Sequence, residues 1–556
     1  MNVLLPFFIA VAFFIIGYKF YGDKIARLWE MDEKNPTPAL TKGDAVDYVP
    51  AKHWTILFGH HFASIAGAGP IIGPVIAVAF WGWAPVFCWI ILGSILLGAV
   101  HDFSSLMISL RNKGHSIAKV TEDIISHRAK ITFTLFLWFT LILVIAVFAA
   151  VGAKTLVDMP QIVIPTFGLI VVAFLIGKLI YELKFNQLSA TLMGVGLLFL
   201  LIIIGKYYPV IIPEIIHFAG LKFTNHTFWT FALLIYAFLA SVMPVNLLLQ
   251  PRDYLATFVL YFGLFFGYLG ILITRPSFNV PAFIKFKGSE GGALWPMLFV
   301  VVACGAISGF HSLVSGGTTS KQIANEKDAK KIAFGAMIIE GALALLALFS
   351  VSAGLYWYGG EEGLVYPELI RDGNWIVTFG KGFGELVKPI FGVSLGALLA
   401  VTMLKTFIMT TLDSATRITR YITEELFFHG FKFKWAKNKY LISFIIVLFS
   451  GWLSLGRWKI IWPIFGAANQ LVAALTLLVL TAYLLSKGKP VKVVLWPAVF
   501  MLVTTLGALL ILLKEFFTAG KWFLLSIDCF LLILSLSILQ ESVVYFKKWR
   551  LRKCLS

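Results

Sequence analysis

The chain has 556 residues, of which 59% are hydrophobic and 13% charged, and its mean hydropathy is +0.88. Soluble globular chains carry about 25% charged residues, so this deficit excludes an ordinary water-facing surface. A formal charge of +18 would point a soluble protein toward nucleic acid. Here the lysines and arginines lie in short segments between long apolar runs, so membrane topology accounts for them and no nucleic-acid partner is expected.

Backbone groups in hydrocarbon must bond within a helix or around a closed barrel. Barrel strands read as short alternating patterns, whereas this chain has unbroken apolar runs and is expected to be all-α. Runs long enough to span a bilayer, about 17 to 25 residues, occur near 3–20, 54–80, 86–110, 131–152, 163–180, 187–205, 228–249 and 255–275. They continue near 296–316, 332–355, 389–416, 441–455, 464–486, 493–513 and 522–543, giving about 15 transmembrane helices. The first run lacks a basic leader and a small-residue cleavage site, so it reads as a retained helix. Cys88, Cys304, Cys529 and Cys554 form no CxxC pair and read as packing residues, not disulfides or metal ligands.

With the N-terminus outside and the spans alternating, the inner loops hold 31 Lys and Arg and the outer loops 13, the sign that the positive-inside rule requires. The C-terminus, with its basic tail at 547–553, is then cytoplasmic and faces an anionic leaflet. The acidic loop 356–388, carrying Glu361, Glu362, Glu368, Asp372 and Glu385, falls outside.

Gly and Pro inside a span mark where a transporter helix unwinds at mid-membrane and frees backbone groups for a ligand. In order along the chain, the strongest such cluster is Gly67-Ala68-Gly69-Pro70, followed by Gly73 and Pro74. Proline removes a donor and clashes with the preceding turn. A second candidate is Met243-Pro244-Val245-Asn246, near the end of span 228–249. A third, beginning Gly305-Ala306-Ile307-Ser308-Gly309, ends span 296–316, where His311, Ser312, Ser315, Thr318 and Thr319 crowd the inner half and supply hydroxyl oxygens suited to a hard cation. A fourth, Thr410-Thr411-Leu412-Asp413-Ser414-Ala415-Thr416-Arg417, places Asp413 and Arg417 four residues apart, as an expected ion pair on one helix face.

Ionisable residues within spans are functional candidates by default. They include His101 and Asp102, Glu340 and Lys405, with Asp102 and Glu340 the expected ion-coupling carboxylates. Adjacent His60 and His61 diverge by about 100° on a helix, which is poor geometry for one metal site. His61 and His311 are placed to contact substrate or shuttle protons, and Arg252 beside Asp253 reads as structural. HExxH and P-loop motifs are absent from the sequence, which weighs against an embedded enzyme and an ATP-driven pump. No cofactor is expected.

Seven segments together resemble the carbon starvation protein family (CstA). They are GHHFASIAGAGPIIGPVIA at 59–77, GAVHDFSSL at 98–106, YAFLASVMPVNLLLQPRDYL at 236–255, CGAISGFHSLVSGGTTSKQIA at 304–324, GAMIIEGALALLAL at 335–348, TTLDSATRITRYI at 410–422 and IWPIFGAANQLVAALTL at 461–477. The resemblance implies an inner-membrane secondary transporter of the amino acid, polyamine and organocation superfamily, linked to uptake of peptides or pyruvate. It implies two inverted five-helix repeats (LeuT/APC-like) plus additional helices. The core then occupies 54–490, after an N-terminal helix and loop at 1–53 and before C-terminal helices and tail at 491–556.

On this reading the two broken helices are 54–80 and 228–249, and 296–316 is the eighth core helix. The rival register makes 389–416 the eighth and 131–152 the first. The expected function is symport of a small polar or anionic nutrient with H+ or Na+. Gly67, Ala68, Gly69, Pro70, His61, Met243, Asn246 and His311 would lie at the substrate. A nutrient sensor without net transport is the alternative. The lipid bilayer and a small-molecule substrate are the expected partners, and the sequence names no oligomeric state.

Overall fold

In the computed structural model, the described residues are 1–44, 47–218, 221–287, 292–360, 363–371, 373–455 and 458–555. Among them, thirteen helices are long and apolar enough to cross a bilayer. In chain order the helices are α1 (Leu4–Leu28), α2 (Trp54–Trp81), α3 (Trp83–Arg111), α4 (His127–Asp158), α5 (Pro160–Tyr181), α6 (Gln187–Tyr207), α7 (Asn225–Val242) and α8 (Leu249–Thr274). Then come the short α9 (Leu294–Val301) and α10 (Gly309–Gly317), followed by α11 (Glu326–Ala353), α12 (Val393–Phe428), the 16-residue α13 (Lys439–Ser454), α14 (Trp458–Ser486), α15 (Lys492–Thr518) and α16 (Trp522–Leu551).

The expectation of about 15 spans is therefore corrected in two places. Span 441–455 exists as α13 but is short, and span 296–316 is not one helix but the pair α9 and α10. Glu361, Glu362 and Asp372, from the acidic loop, lie outside the described residues. A small antiparallel hairpin pairs Ile215–Phe218 with Leu221–Thr224 between α6 and α7.

Chain ends fix the direction of each helix. The loop 42–53 meets the end of α10 through Ala51 N–H donating to Gln322 C=O at 2.9 Å, and meets α12 through Arg417 and Asp47 at 2.7 Å. These ends define the near face. On the far face, Trp83 N–H donates to Pro281 C=O at 3.3 Å and Asn279 N–H to Ser352 C=O at 2.9 Å. Helix α2 thus runs from near to far, and α9–α10 from far to near.

The packing is two inverted repeats. The first half of α2 packs on α8, and α10 packs on α14; the second half of α2 packs on α11, and α3 packs on α10. Helices α4, α7, α12 and α13 form the surrounding scaffold, α4 against α12 and α7 against α13. The repeats are therefore α2, α3, α4, α7, α8 and α9–α10, α11, α12, α13, α14. Helices α5 and α6 pair with one another and form an insertion inside the first repeat. This insertion shifts the register expected from the sequence. The second broken helix is α9–α10, not 228–249, and α12 is the eighth core helix without displacing the first break from α2. Pro244 does not interrupt a span: α7 ends at Val242, and Met243–Leu248 connects it to α8.

Helices α1, α15 and α16 lie outside the repeats, with α16 against α4 and α14, and α15 against α14. Their outer faces, like those of α5 and α6, expose large apolar side chains such as Leu5, Val171, Leu192, Trp496 and Ile533. In a bilayer these faces meet lipid, which removes the penalty they would carry in water.

At the near face Asp47 clips the loop 42–53 to α12. Arg417 reaches it at 2.7 Å and Arg420 at 3.3 Å. Burial alone would raise its pKa, but Arg420, Arg417 and Lys321 outweigh burial and hold it down to about 2. A carboxylate depressed in the folded state stabilises at pH values above its unfolded pKa, and the stabilisation is lost as pH falls through the folded one. Asp47→Asn is thus expected to cost about 2 kcal/mol at pH 7. The gap from wild type should close between about pH 4 and pH 2. Thermal unfolding of both proteins across that range checks it, and a gap independent of pH would refute the clip.

Candidate functional site

Both breaks lie at the centre of the bundle. In α2 the first half ends at Ala66, Gly67 has φ +50°, and the second half starts at Gly69 with Pro70 in its first turn. A positive φ of this kind favours glycine. The second break runs from Val302 to Ser308, between α9 and α10. Two helix N-termini, at Gly69 and Gly309, and two C-termini, at Ala66 and Val301, therefore meet near mid-membrane. They bring partial positive and negative charge without any ionised side chain.

The freed groups have identifiable partners. Thr411 Oγ1 on α12 donates to Ser64 C=O at 3.1 Å, and Ser64 Oγ lies 2.8 Å from Ser414 Oγ. At the second break two carboxamides of α14 do the work. Asn469 Oδ1 accepts from Phe310 N–H at 2.8 Å, and Asn469 Nδ2 donates to Ser308 Oγ at 2.9 Å. Gln470 Nε2 donates to Ile307 C=O at 2.9 Å and Phe299 C=O at 3.3 Å.

The breaks also touch one another. A methyl group on Gly69 would collide with Cys304 Sγ, and one on Gly73 would lie 2.6 Å from Val301 C=O. Beside this contact, a cavity of about 330 Å³ is lined by Gly69, Phe80, Cys304, Trp462, Asn469 and Glu515, among others. Trp375, on the short helix Trp375–Leu386, lies 5.9 Å from Trp462 with the two rings tilted, and both line the cavity. Of the expected binding-floor residues, Gly69 lines this cavity and Pro70 begins the helix behind it. Gly67 and Ala68 are covered, Gly67 by Phe148 and Thr411. Met243 and Asn246 sit in the near-face connection between α7 and α8, away from the cavity.

Nearer to the near face lies a chain of buried ionisable groups. Asp102 on α3 joins two histidines: Oδ1 meets His101 Nδ1 at 2.8 Å and Oδ2 meets His311 Nδ1 on α10 at 2.8 Å. His311 Nε2 then faces Glu340 Oε2 on α11 at 3.5 Å. All four side chains are fully buried, and neither Glu340 oxygen is otherwise hydrogen-bonded among the described residues. Glu340 lies one turn before Ala344, which packs against Gly305 in the second break. The residues expected separately at substrate and ion sites thus belong to one cluster. His61 stands beside it, its Nδ1 2.8 Å from Thr319 Oγ1.

The expected hydroxyl set does not converge on one point. Ser312 donates to Gly309 C=O at 2.7 Å, Ser315 to Asp102 C=O at 3.4 Å and Thr318 to Val314 C=O at 3.0 Å, while Thr319 meets His61. Short hydroxyl side chains on a helix readily bond back to its own carbonyls.

The expected Asp413–Arg417 pair is also corrected. Asp413 accepts from Arg252 of α8 and from Tyr236 OH of α7, the latter at 2.7 Å. Arg417 instead bonds Asp47 and the carbonyls of Ala240, at 2.7 Å, and Met243. Arg252 also reaches Asp253 at 2.9 Å, and Asp253 reaches His60 Nδ1 at 2.6 Å. Arg252 therefore ties three helices rather than one turn. Spacing within one helix allowed the local pair, but partners from α7 and α8 outcompete it. Sequence reasoning also missed Asn469, Gln470 and Tyr236. The adjacent carboxamides in the apolar run 464–486 were the available signal.

The family profile described as carbon starvation protein CstA matches residues 2–357 and 367–508. A peptide transporter CstA of Campylobacter jejuni is 31% identical, covering 89% of this chain and 78% of its own. A pyruvate/proton symporter BtsT of Escherichia coli is 32% identical, covering 90% of this chain and 80% of its own. Among solved structures, a manganese transporter of Eremococcus coleocola shares the fold, with a TM-score of 0.51 and 11% identity over 92% of this chain and 99% of that one.

The contact between the breaks is testable. Gly69→Ala is expected to destabilise by about 2 kcal/mol through overpacking against Cys304, with part of the loss restored in a Gly69→Ala/Cys304→Gly double variant. Thermal unfolding in detergent measures both. An unaffected Gly69→Ala protein would show that the breaks are not in contact.

Proposed function

The chain belongs to the carbon starvation protein CstA family and is a multi-pass membrane transporter, and from that premise we propose a proton-coupled symporter that imports a small organic nutrient, pyruvate or a short peptide. The observation that carries the reading is the buried chain His101–Asp102–His311–Glu340, which joins α3, α10 and α11 close to the facing breaks.

A coupling site must hold a proton in one access state and release it in the other. Asp102 fixes His311 through Nδ1, leaving Nε2 directed at Glu340. A proton at this position resides on the imidazole or on the carboxylate 3.5 Å away, and movement of α10 relative to α11 would separate the two. The E. coli relative is named a pyruvate/proton symporter, which supports H+ over Na+, as does the scattering of the Ser312, Ser315, Thr318 and Thr319 hydroxyls.

Pyruvate and peptides share a carboxylate. The helix N-termini at Gly69 and Gly309 suit such a group, and the cavity beside Gly69 has room for either substrate. Arg252, Asp413, Asp253 and His60 act as a structural tie between α2, α7, α8 and α12. With the near face cytoplasmic, the N-terminus lies outside and the basic tail inside, in keeping with the excess of Lys and Arg in near-face loops.

Uptake of labelled pyruvate and a labelled dipeptide into proteoliposomes, under a proton gradient, a sodium gradient or neither, tests the reading. Accumulation of one substrate with the proton gradient is expected. Glu340→Gln should lower gradient-driven accumulation at least tenfold while leaving substrate exchange across the membrane. Accumulation driven by sodium alone, or undiminished in Glu340→Gln, would overturn the proton assignment.

A further inference from the structure

A second, larger concavity lies away from the breaks. A groove of about 720 Å³ opens sideways between α1, the first half of α2, α8 and α11. Its walls include Phe14, Phe58, Phe258, Ile338 and Ile339, and its near-face rim carries Lys19, Lys331, Trp54 and Tyr18. From Lys331 to Ile339 the wall of α11 rises eight residues, about 12 Å at 1.5 Å per residue. That distance leads from the level where Lys and aromatic side chains anchor at a bilayer interface into the hydrocarbon.

The rim charges have unequal partners. Lys330 pairs with Asp23 and lies 4.3 Å from the Tyr18 ring centre. Lys331 pairs with Asp328 at 3.0 Å and lies 5.1 Å from the Trp54 ring centre. Lys19 is exposed and has no ion pair among the described residues. The rim therefore carries one uncompensated positive charge above an apolar slot.

We propose that this groove binds an anionic phospholipid from the near-face leaflet, its phosphate at Lys19 and Lys331 and one acyl chain between α1, α8 and α11. An apolar slot open to the bilayer is filled by a chain at little cost. The lysines then favour a net negative headgroup over a zwitterionic one. One wall is the first half of α2, so the bound lipid braces the half-helix that ends at the first break.

Native mass spectrometry of the full chain in detergent, titrated with phosphatidylglycerol or with phosphatidylcholine of matched chains, tests the site. Wild type should retain phosphatidylglycerol preferentially. Lys19→Gln should weaken phosphatidylglycerol about fivefold, the equivalent of about 1 kcal/mol for one basic side chain, with phosphatidylcholine unchanged. Gly335→Leu should fill the slot and weaken both lipids, because a methyl there meets Tyr18 at an ordinary 3.6 Å and is sterically tolerated. Unchanged melting temperatures identify both variants as folded. Equal retention of the two lipids, or phosphatidylglycerol binding indifferent to either substitution, would overturn the proposal.

Discussion

Backbone amides and carbonyls released inside hydrocarbon must find partners, and that constraint organises the centre of this protein. Breaking α2 and separating α9 from α10 leaves peptide groups that neither lipid nor helix can satisfy, each costing several kcal/mol if left alone. The scaffold and flanking helices supply what is missing. Helix α12 offers Thr411 and Ser414 to the first break, and α14 offers Asn469 and Gln470 to the second. Small residues then let the two interrupted helices approach until Gly69 and Cys304 touch. The cavity exists because the breaks are held open by neighbours rather than closed by helix propagation.

The same low-polarity interior dictates how charge is handled. Buried charges persist where they are paired and hydrogen-bonded, and this bundle gathers four of its buried carboxylates into two networks. One joins Asp102 and Glu340 to histidines near α10; the other joins Asp413 and Asp253 to Arg252. The neighbouring histidines of α2 stand between them. His60 reaches Asp253 on α8, and His61 reaches Thr319 just beyond α10. The first half of α2 is thereby bonded to both repeats, and displacing it disturbs the two networks together.

Much of the architecture was legible from local pattern. The positions of nearly all spans, the break at Gly67 to Pro70 and the placement of Asp102, His311 and Glu340 inside the bundle followed from hydropathy, Gly/Pro clustering and the cost of intramembrane charge. The register of the repeats was not legible. Helices α5 and α6 are as apolar as most core helices, so nothing in their composition marks them as an insertion, and counting through them moved the second break to Met243–Asn246. The true second break ranked only third among the candidate breaks, for a related reason. Span 296–316 contains no proline between Val301 and Ser308, and the residues that hold it apart sit on α14, more than 150 positions away in the chain.

The sequence by itself determined which segments enter the membrane, where the first helix must unwind and which ionisable groups the membrane would have to accommodate, because each depends on a short window of side chains against a uniform solvent. Tertiary structure decided which helices form the core, where the second helix is interrupted and who pairs with whom. Asp413 shows the difference: the spacing to Arg417 made one partner geometrically available, but Arg252 and Tyr236 from two other helices are closer and better hydrogen-bonded. Pairing inside a bundle is a competition among all neighbours in space, and that competition is settled only when distant segments have packed.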